Sequence, residues 1–283
     1  MRVPTWVIGE IAVKIAFATC VQLGRSCIEK ILQIGGRLDL FITLADEKAR
    51  DKSGRIYLDD ISLKNNIPLL KIDNINDQIV IDTLVEKSID WLFIIGWSQI
   101  AKSKLLSTPS KGCIGMHPTL LPKGRGRAAI PWAIIKGLTR TGVSMFKLDE
   151  GVDTGDIIGQ GIIEINDKTT ATELYELVDE MHIELIAKYW DDISCGNITL
   201  TKQNDDDATE WPGRKPEDGE VTSDMTMAEA DRLVRAVTHP YPGAFYREDG
   251  RMIRVWSAKV LPDSGMIRLR DGFLEPMQFE IEG

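Results

Sequence analysis

Residues Trp91 to Trp97 read WLFIIGW, apolar at every position except the glycine. A strand with one wet face alternates apolar and polar residues, so an unbroken apolar run predicts a strand covered on both faces, as in the middle of a parallel sheet. Gly112 to Met116 (GCIGM) is a further strand of this kind. Working outward, Val13 to Cys20 (VKIAFATC) and Leu38 to Leu44 read as two more strands. Between them Gly24 and Ser26 open a helix, SCIEKILQIGG, that Gly35 and Gly36 stop. The charged DEKARDKSGR after the second strand reads as a solvated loop, and Ile79 to Lys87 as another helix.

Toward the C-terminus, strands are predicted around Val143 to Leu148 and Ile157 to Ile165, separated by the turn-rich DEGVDTGD. From Thr170 to about Asp192, Leu174, Leu177, Val178, Met181, Leu185 and Tyr189 fall at helical spacing, and His182 shares their face as a packing residue. Gln203 to Gly219 then turns polar, acidic and proline-interrupted, which marks a boundary. Beyond it Thr226 and Glu229 form a capping-box pair for a helix ending at His239-Pro240. Alternating hairpins follow, turning at Asp249-Gly250 and Asp271-Gly272. The order predicts an α/β fold: a Rossmann-like, mostly parallel sheet flanked by helices (residues 1–203), with a smaller, mainly β C-terminal domain (residues 204–283).

Composition narrows the function. The 34 Lys and Arg against 43 Asp and Glu leave a formal charge of −9, which disfavours nucleic acid as a partner. No window approaches 18 consecutive apolar residues, and MRVPTWVIGEIAV lacks the marks of a signal peptide, so no membrane association and a cytoplasmic location are expected. Cys20, Cys27, Cys113 and Cys195 are scattered, with neither a CxxC pair nor a disulfide framework, and no metal site is expected.

The chemistry concentrates in Gly112 to Gly159, GCIGMHPTLLPKGRGRAAIPWAIIKGLTRTGVSMFKLDEGVDTGDIIG. A histidine at a strand end followed by proline and Leu-Leu-Pro (His117, Pro118, Leu120, Leu121, Pro122), an Arg-Gly pair (Arg125, Gly126) and a glycine-flanked acidic loop (Asp149, Glu150, Gly151, Asp153, Gly155) together resemble the formyltransferase family. The resemblance runs from Val13 to Val260, and THPYPGAFYREDGRMIRVWSAKV is similar to the smaller domain of methionyl-tRNA formyltransferase and its sugar-modifying relatives. LPKGRGR, NIND at Asn74 to Asp77 and WPGRKPEDG look most like bacterial enzymes that N-formylate nucleotide-linked amino sugars. The resemblance implies transfer of a formyl group from N10-formyltetrahydrofolate to such an amine. The alternatives are methionyl-tRNA formyltransferase, whose substrate demands a basic face, glycinamide ribonucleotide formyltransferase, which lacks a second domain, and a non-catalytic folate or nucleotide-sugar binding module.

Formyl transfer to an amine passes through a tetrahedral intermediate, so the protein must take a proton, stabilise an oxyanion and align two substrates. His117 is the expected general base and Asp153 its carboxylate partner, both just past strands at the carboxyl edge of the sheet. The family's asparagine two residues before the histidine is replaced by Gly115, so an oxyanion donor is missing. Ser98, Gln99 or a protonated His117 are candidates to replace it. Lys123, Arg125 and Arg127 are expected to clamp a pyrophosphate, with Arg214 and Lys215 in support. Trp211 or Tyr241 could stack on a base or pack between domains. Ile95, Gly96, Glu150 and Asp153 are carried over as folate-binding residues, and Cys113 is read as packing rather than a nucleophile. A homodimer is expected on base rates.

Overall fold

The computed structural model describes residues 13–49, 55–248 and 250–282. The extreme N-terminus, part of the charged loop after Leu44 and Asp249 of the first hairpin turn lie outside the described residues. In chain order the first unit comprises β1 (Ile15–Ala18), α1 (Gln22–Gln33), β2 (Leu40–Leu44), α2 (Asp46–Ala49), α3 (Asp59–Asn65), β3 (Leu69–Ile72), α4 (Gln78–Glu86), β4 (Trp91–Ile94), α5 (Ser103–Leu106) and β5 (Gly112–His117). It continues with β6 (Arg125–Gly126), α6 (Ala129–Ile135), β7 (Arg140–Lys147), β8 (Ile157–Glu164) and α7 (Ala171–Ser194). After β9 (Glu210–Trp211) come α8 (Met227–Val237), β10 (Ala244–Glu248), β11 (Arg251–Leu261), β12 (Ile267–Arg268) and β13 (Phe273–Glu282).

Seven strands form one sheet in the order β3-β2-β1-β4-β5-β7-β8. The pairs among β1 to β5 are parallel, whereas β7 runs antiparallel to both β5 and β8. Alternate residues of the central strands feed two cores. Ile15, Phe17, Phe41 and Phe93 pack toward α1 and α7, with Phe17 and Phe93 stacked at 5.3 Å. Ala16, Ala18, Ile42, Leu92 and Ile94 pack toward Val80, Ile81 and Leu84 of α4. This two-sided burial is the physical reason for WLFIIGW; each fully buried Phe or Leu contributes about 1.5–3 kcal/mol. The strand itself stops at Ile94, so Ile95 to Trp97 belong to the turn that leaves the sheet.

The chain leaves β1 in one direction toward β2 and β3 and returns on the other side at β4. Outside the carboxyl ends of strands at such a reversal is where open α/β sheets bind ligands, and β5, next to β4, carries His117 at its own carboxyl end. α3 and β3 add to the elements expected from the sequence; β3 is an edge strand with only Ile72 fully buried, so its apolar run is short.

The second sheet is antiparallel, in the order β10-β11-β13-β12. Ala230, Leu233, Val234 and Val237 on one face of α8 are buried, and the helix starts at the expected Thr226–Glu229 capping box, a device worth about 1 kcal/mol. The stretch between the two sheets is not a free linker. β9 pairs in parallel with β6, and Gln203 is buried. No helix among the described residues is long and apolar enough to cross a membrane.

Candidate active site

His117 ends β5 and is 8% exposed. Its Nε2 lies 2.8 Å from the carbonyl oxygen of Gly124. A carbonyl only accepts, so this contact assigns the proton of the neutral ring to Nε2 and leaves the Nδ1 lone pair as the basic site. Nδ1 is 3.5 Å from Oδ2 of Asp153. At that separation the ring is not locked to the carboxylate, yet a proton arriving on Nδ1 would create a cation directly facing an anion.

Asp153 is held from both directions. Its Oδ2 accepts from the Gly126 amide at 2.8 Å, while its backbone is left-handed at φ +56°. Gly126 can make this approach because it lacks a side chain: φ is +111° and a Cβ would lie 2.4 Å from the carbonyl oxygen of Trp211. The turn after His117 is pinned by Ser144, which donates to the Thr119 carbonyl and accepts from the Leu121 amide and from Gln160. His182 of α7, donating from Nδ1 to the Val178 carbonyl, is buried behind the site and has its pKa pushed down to about 4, chiefly by that burial. It packs, as its position on an apolar helix face suggested.

The space beside Gly115 is not vacant. A Cβ there would meet Leu148 Cδ2 at 2.6 Å, so an apolar side chain stands where the sequence suggested a missing donor or a substitute such as Ser98. Ser98 is exposed in the turn after β4. Gln99 is committed elsewhere: it accepts from the Ile75 amide and Trp97 Nε1 and donates to the Asp73 carbonyl. Ile95 is buried and its amide donates to the Ala18 carbonyl, Gly96 is exposed at φ +64°, and Glu150 is exposed. Cys113 is buried, with its thiol pushed up to about 12, which agrees with packing.

The basic residues divide. Lys123 and Arg127 are exposed. Arg125, expected beside them in a pyrophosphate clamp, is instead turned inward: its guanidinium bonds Gln203 Oε1 at 2.8 and 3.1 Å and Asp205 Oδ1 at 2.8 Å. Arg214 sits 5.0 Å over the Trp132 ring and donates to the Asp218 carbonyl, while Lys136 lies 5.5 Å from the same ring. Burial pushes the Arg214 pKa down. Lys215 begins the turn Pro216–Gly219. Trp211 is buried beneath Gly124 and Tyr241 is largely buried, so both pack. Gln203 and Trp132 had no sequence signature; each earns its place through contacts across 80 residues or nearly so. Among the described residues no group of three or more His, Cys, Asp or Glu is placed to hold a metal.

The family described as "Formyl transferase" matches residues 45–188, and "Formyl transferase, C-terminal domain" matches residues 214–271. A methionyl-tRNA formyltransferase of Agathobacter rectalis is 31% identical over 84% of this chain and 77% of its own length. Among solved structures, an N-formyltransferase from Helicobacter canadensis in complex with folinic acid and dTDP-3-aminofucose superposes with a TM-score of 0.73 at 20% identity, over 95% of this chain and all of that one. A 4-N formyltransferase from Francisella tularensis gives 0.67 at 25% identity, over 84% and 93%. The family match over both parts of the chain, with a relative 31% identical over 84% of it, places this chain in the formyltransferase family as an N-formyltransferase.

Proposed function

We propose that the chain transfers the formyl group of N10-formyltetrahydrofolate to the amino group of a nucleotide-linked amino sugar. The observation that carries this reading is the charge of the C-terminal unit. Beyond Lys202 ten lysines and arginines stand against seventeen aspartates and glutamates. Arg235, Arg247, Arg254 and Arg270 there are engaged by Asp231, Glu220, Glu282 and Glu229. Such a surface repels a polyanion. A compact diphosphate, by contrast, is suited to the corner where Arg127 lies against Gly213 and where Arg214 and Lys136 flank Trp132. Arg214 is partly desolvated and its guanidinium meets a carbonyl, so an anion there gains a charge-assisted hydrogen bond. Lys123 and Lys215 extend the same basic set; Arg125 leaves it.

In this reading the substrate amine attacks the formyl carbon, and its proton passes to His117 Nδ1, where Asp153 stabilises the imidazolium. The carbon–N10 bond then breaks and the imidazolium returns the proton to N10, releasing tetrahydrofolate and the formamide. Leu148 occupies the place next to Gly115, so no side chain at position 115 reaches the oxyanion. Ile95, Gly96 and Glu150, with Asp153, line the folate side.

The sequence relatives favour a second reading, methionyl-tRNA as acceptor. Tetrahydrofolate release measured with dTDP-, UDP- and GDP-linked amino sugars and with methionyl-tRNA separates the two. Turnover with a sugar nucleotide supports the proposal; turnover with methionyl-tRNA alone overturns it.

A further inference from the structure

We propose that Gln203 is a positioning residue that holds the Asp153 loop in register with His117, resting on the catalytic reading given above. Gln203 is 6% exposed. Its Nε2 donates to the carbonyls of Asp153 at 2.8 Å and Gly155 at 2.7 Å, while its Oε1 accepts from Nε and Nη2 of Arg125. One amide therefore ties the loop between β7 and β8 to Arg125 of β6, and the residues on either side of Arg125 supply both backbone partners of the pair: the Gly124 carbonyl on His117 and the Gly126 amide on Asp153.

The loop needs such a grip. A left-handed backbone is unfavourable for an aspartate, so without its tether Asp153 would relax and its carboxylate would leave the vicinity of Nδ1. The hydrogen bonds at the Arg125 end are charge-assisted, the strong kind. Asp205 completes Arg125 from the solvent side, where its side chain is 77% exposed and water can take its place. The charged or titratable groups around the ring are Asp153 at 3.5 Å, the buried His182 of α7, and Arg125, adjacent to the carbonyl partner Gly124.

The test compares Gln203→Met, Gln203→Glu, Asp205→Asn, Asp153→Asn and His117→Asn in the full chain. The readouts are the kcat and KM of tetrahydrofolate release with N10-formyltetrahydrofolate and the acceptor the wild type uses. Gln203→Met should behave as a weaker Asp153→Asn, losing turnover as the carboxylate recedes. Its kcat should fall about 10- to 100-fold, as expected for misplacement of a reacting group by an ångström or so, with the acceptor KM little changed. Asp205→Asn should leave both near wild type. Should Gln203→Met fail to fold, Gln203→Glu keeps an acceptor for Arg125 but has no donor for the two carbonyls, and its kcat decides. Wild-type kcat in folded Gln203→Met or in Gln203→Glu, or an equal loss in Asp205→Asn, would overturn the proposal. Retained turnover in His117→Asn would instead overturn the catalytic reading on which it rests.

Discussion

Leu148 fills the volume that a side chain on Gly115 would claim, its Cδ2 lying 2.6 Å from where that Cβ would stand. The two residues come together because β5 and β7 are antiparallel, with Gly115 paired to Phe146 and the Leu148 amide donating to the Cys113 carbonyl. An asparagine at position 115 must therefore displace Leu148. Overpacking of this kind costs about 1–3 kcal/mol. Urea unfolding should show Gly115→Asn destabilised, and Gly115→Asn with Leu148→Ala less destabilised than the sum of the single changes. Strict additivity would show that the two side chains do not compete.

Asp179 of α7 predicts a gain in stability. Its Oδ2 accepts from Ser26 on α1, but Oδ1 is buried with no partner, and desolvation pushes its pKa up. A carboxylate with a raised folded pKa binds protons more readily folded than unfolded, so stability declines as pH rises above the ordinary aspartate range. Asp179→Asn should raise Tm at pH 7, with the advantage fading toward pH 4 and below. A Tm gain that is independent of pH would place the cause outside this carboxylate.

His182 predicts the opposite slope. Its folded pKa, about 4, lies below the ordinary value of 6.5, so the unfolded chain binds a proton first on acidification. Stability contributed by the neutral ring is present above pH 6.5 and is lost as pH falls toward 4, on the order of 1–3 kcal/mol. Denaturation at pH 7 and pH 4.5 should show a larger loss for wild type than for His182→Leu.

Arg125 and Arg214 should separate stability from affinity. Arg125→Ala strips a buried acceptor, Gln203 Oε1, of its donors and should lower stability by about 1–3 kcal/mol. Arg214→Ala should leave the melting temperature nearly unchanged yet weaken a nucleotide-linked sugar by roughly 1.5–3 kcal/mol, the worth of a charged hydrogen bond, with folate affinity unaffected. Calorimetric titration alongside thermal melting checks both.

The contrast between these arginines shows where sequence reading stops. WLFIIGW and GCIGM announce two-sided burial because every residue votes the same way, and the Thr226–Glu229 spacing announces a helix start because capping is local. His117 and Asp153 were readable as a pair through the motif that surrounds them. Whether an arginine in a glycine-flanked basic loop points to solvent or inward depends on a glutamine 78 residues away, for which the local sequence holds no signal. Leu148 opposite Gly115 is likewise a matter of strand register, and β3, an edge strand, buries too little to leave a continuous apolar run.

The central claim is that His117 carries the proton from the attacking amine. The most direct measurement is single-turnover formyl transfer by His117→Asn, run with the acceptor that wild type formylates and with both substrates shown by titration to remain bound. A positioned acid–base group is worth about 100- to 10,000-fold in rate. A loss at the upper end of that range is expected with binding intact; turnover near that of the wild type would show that another group takes the proton.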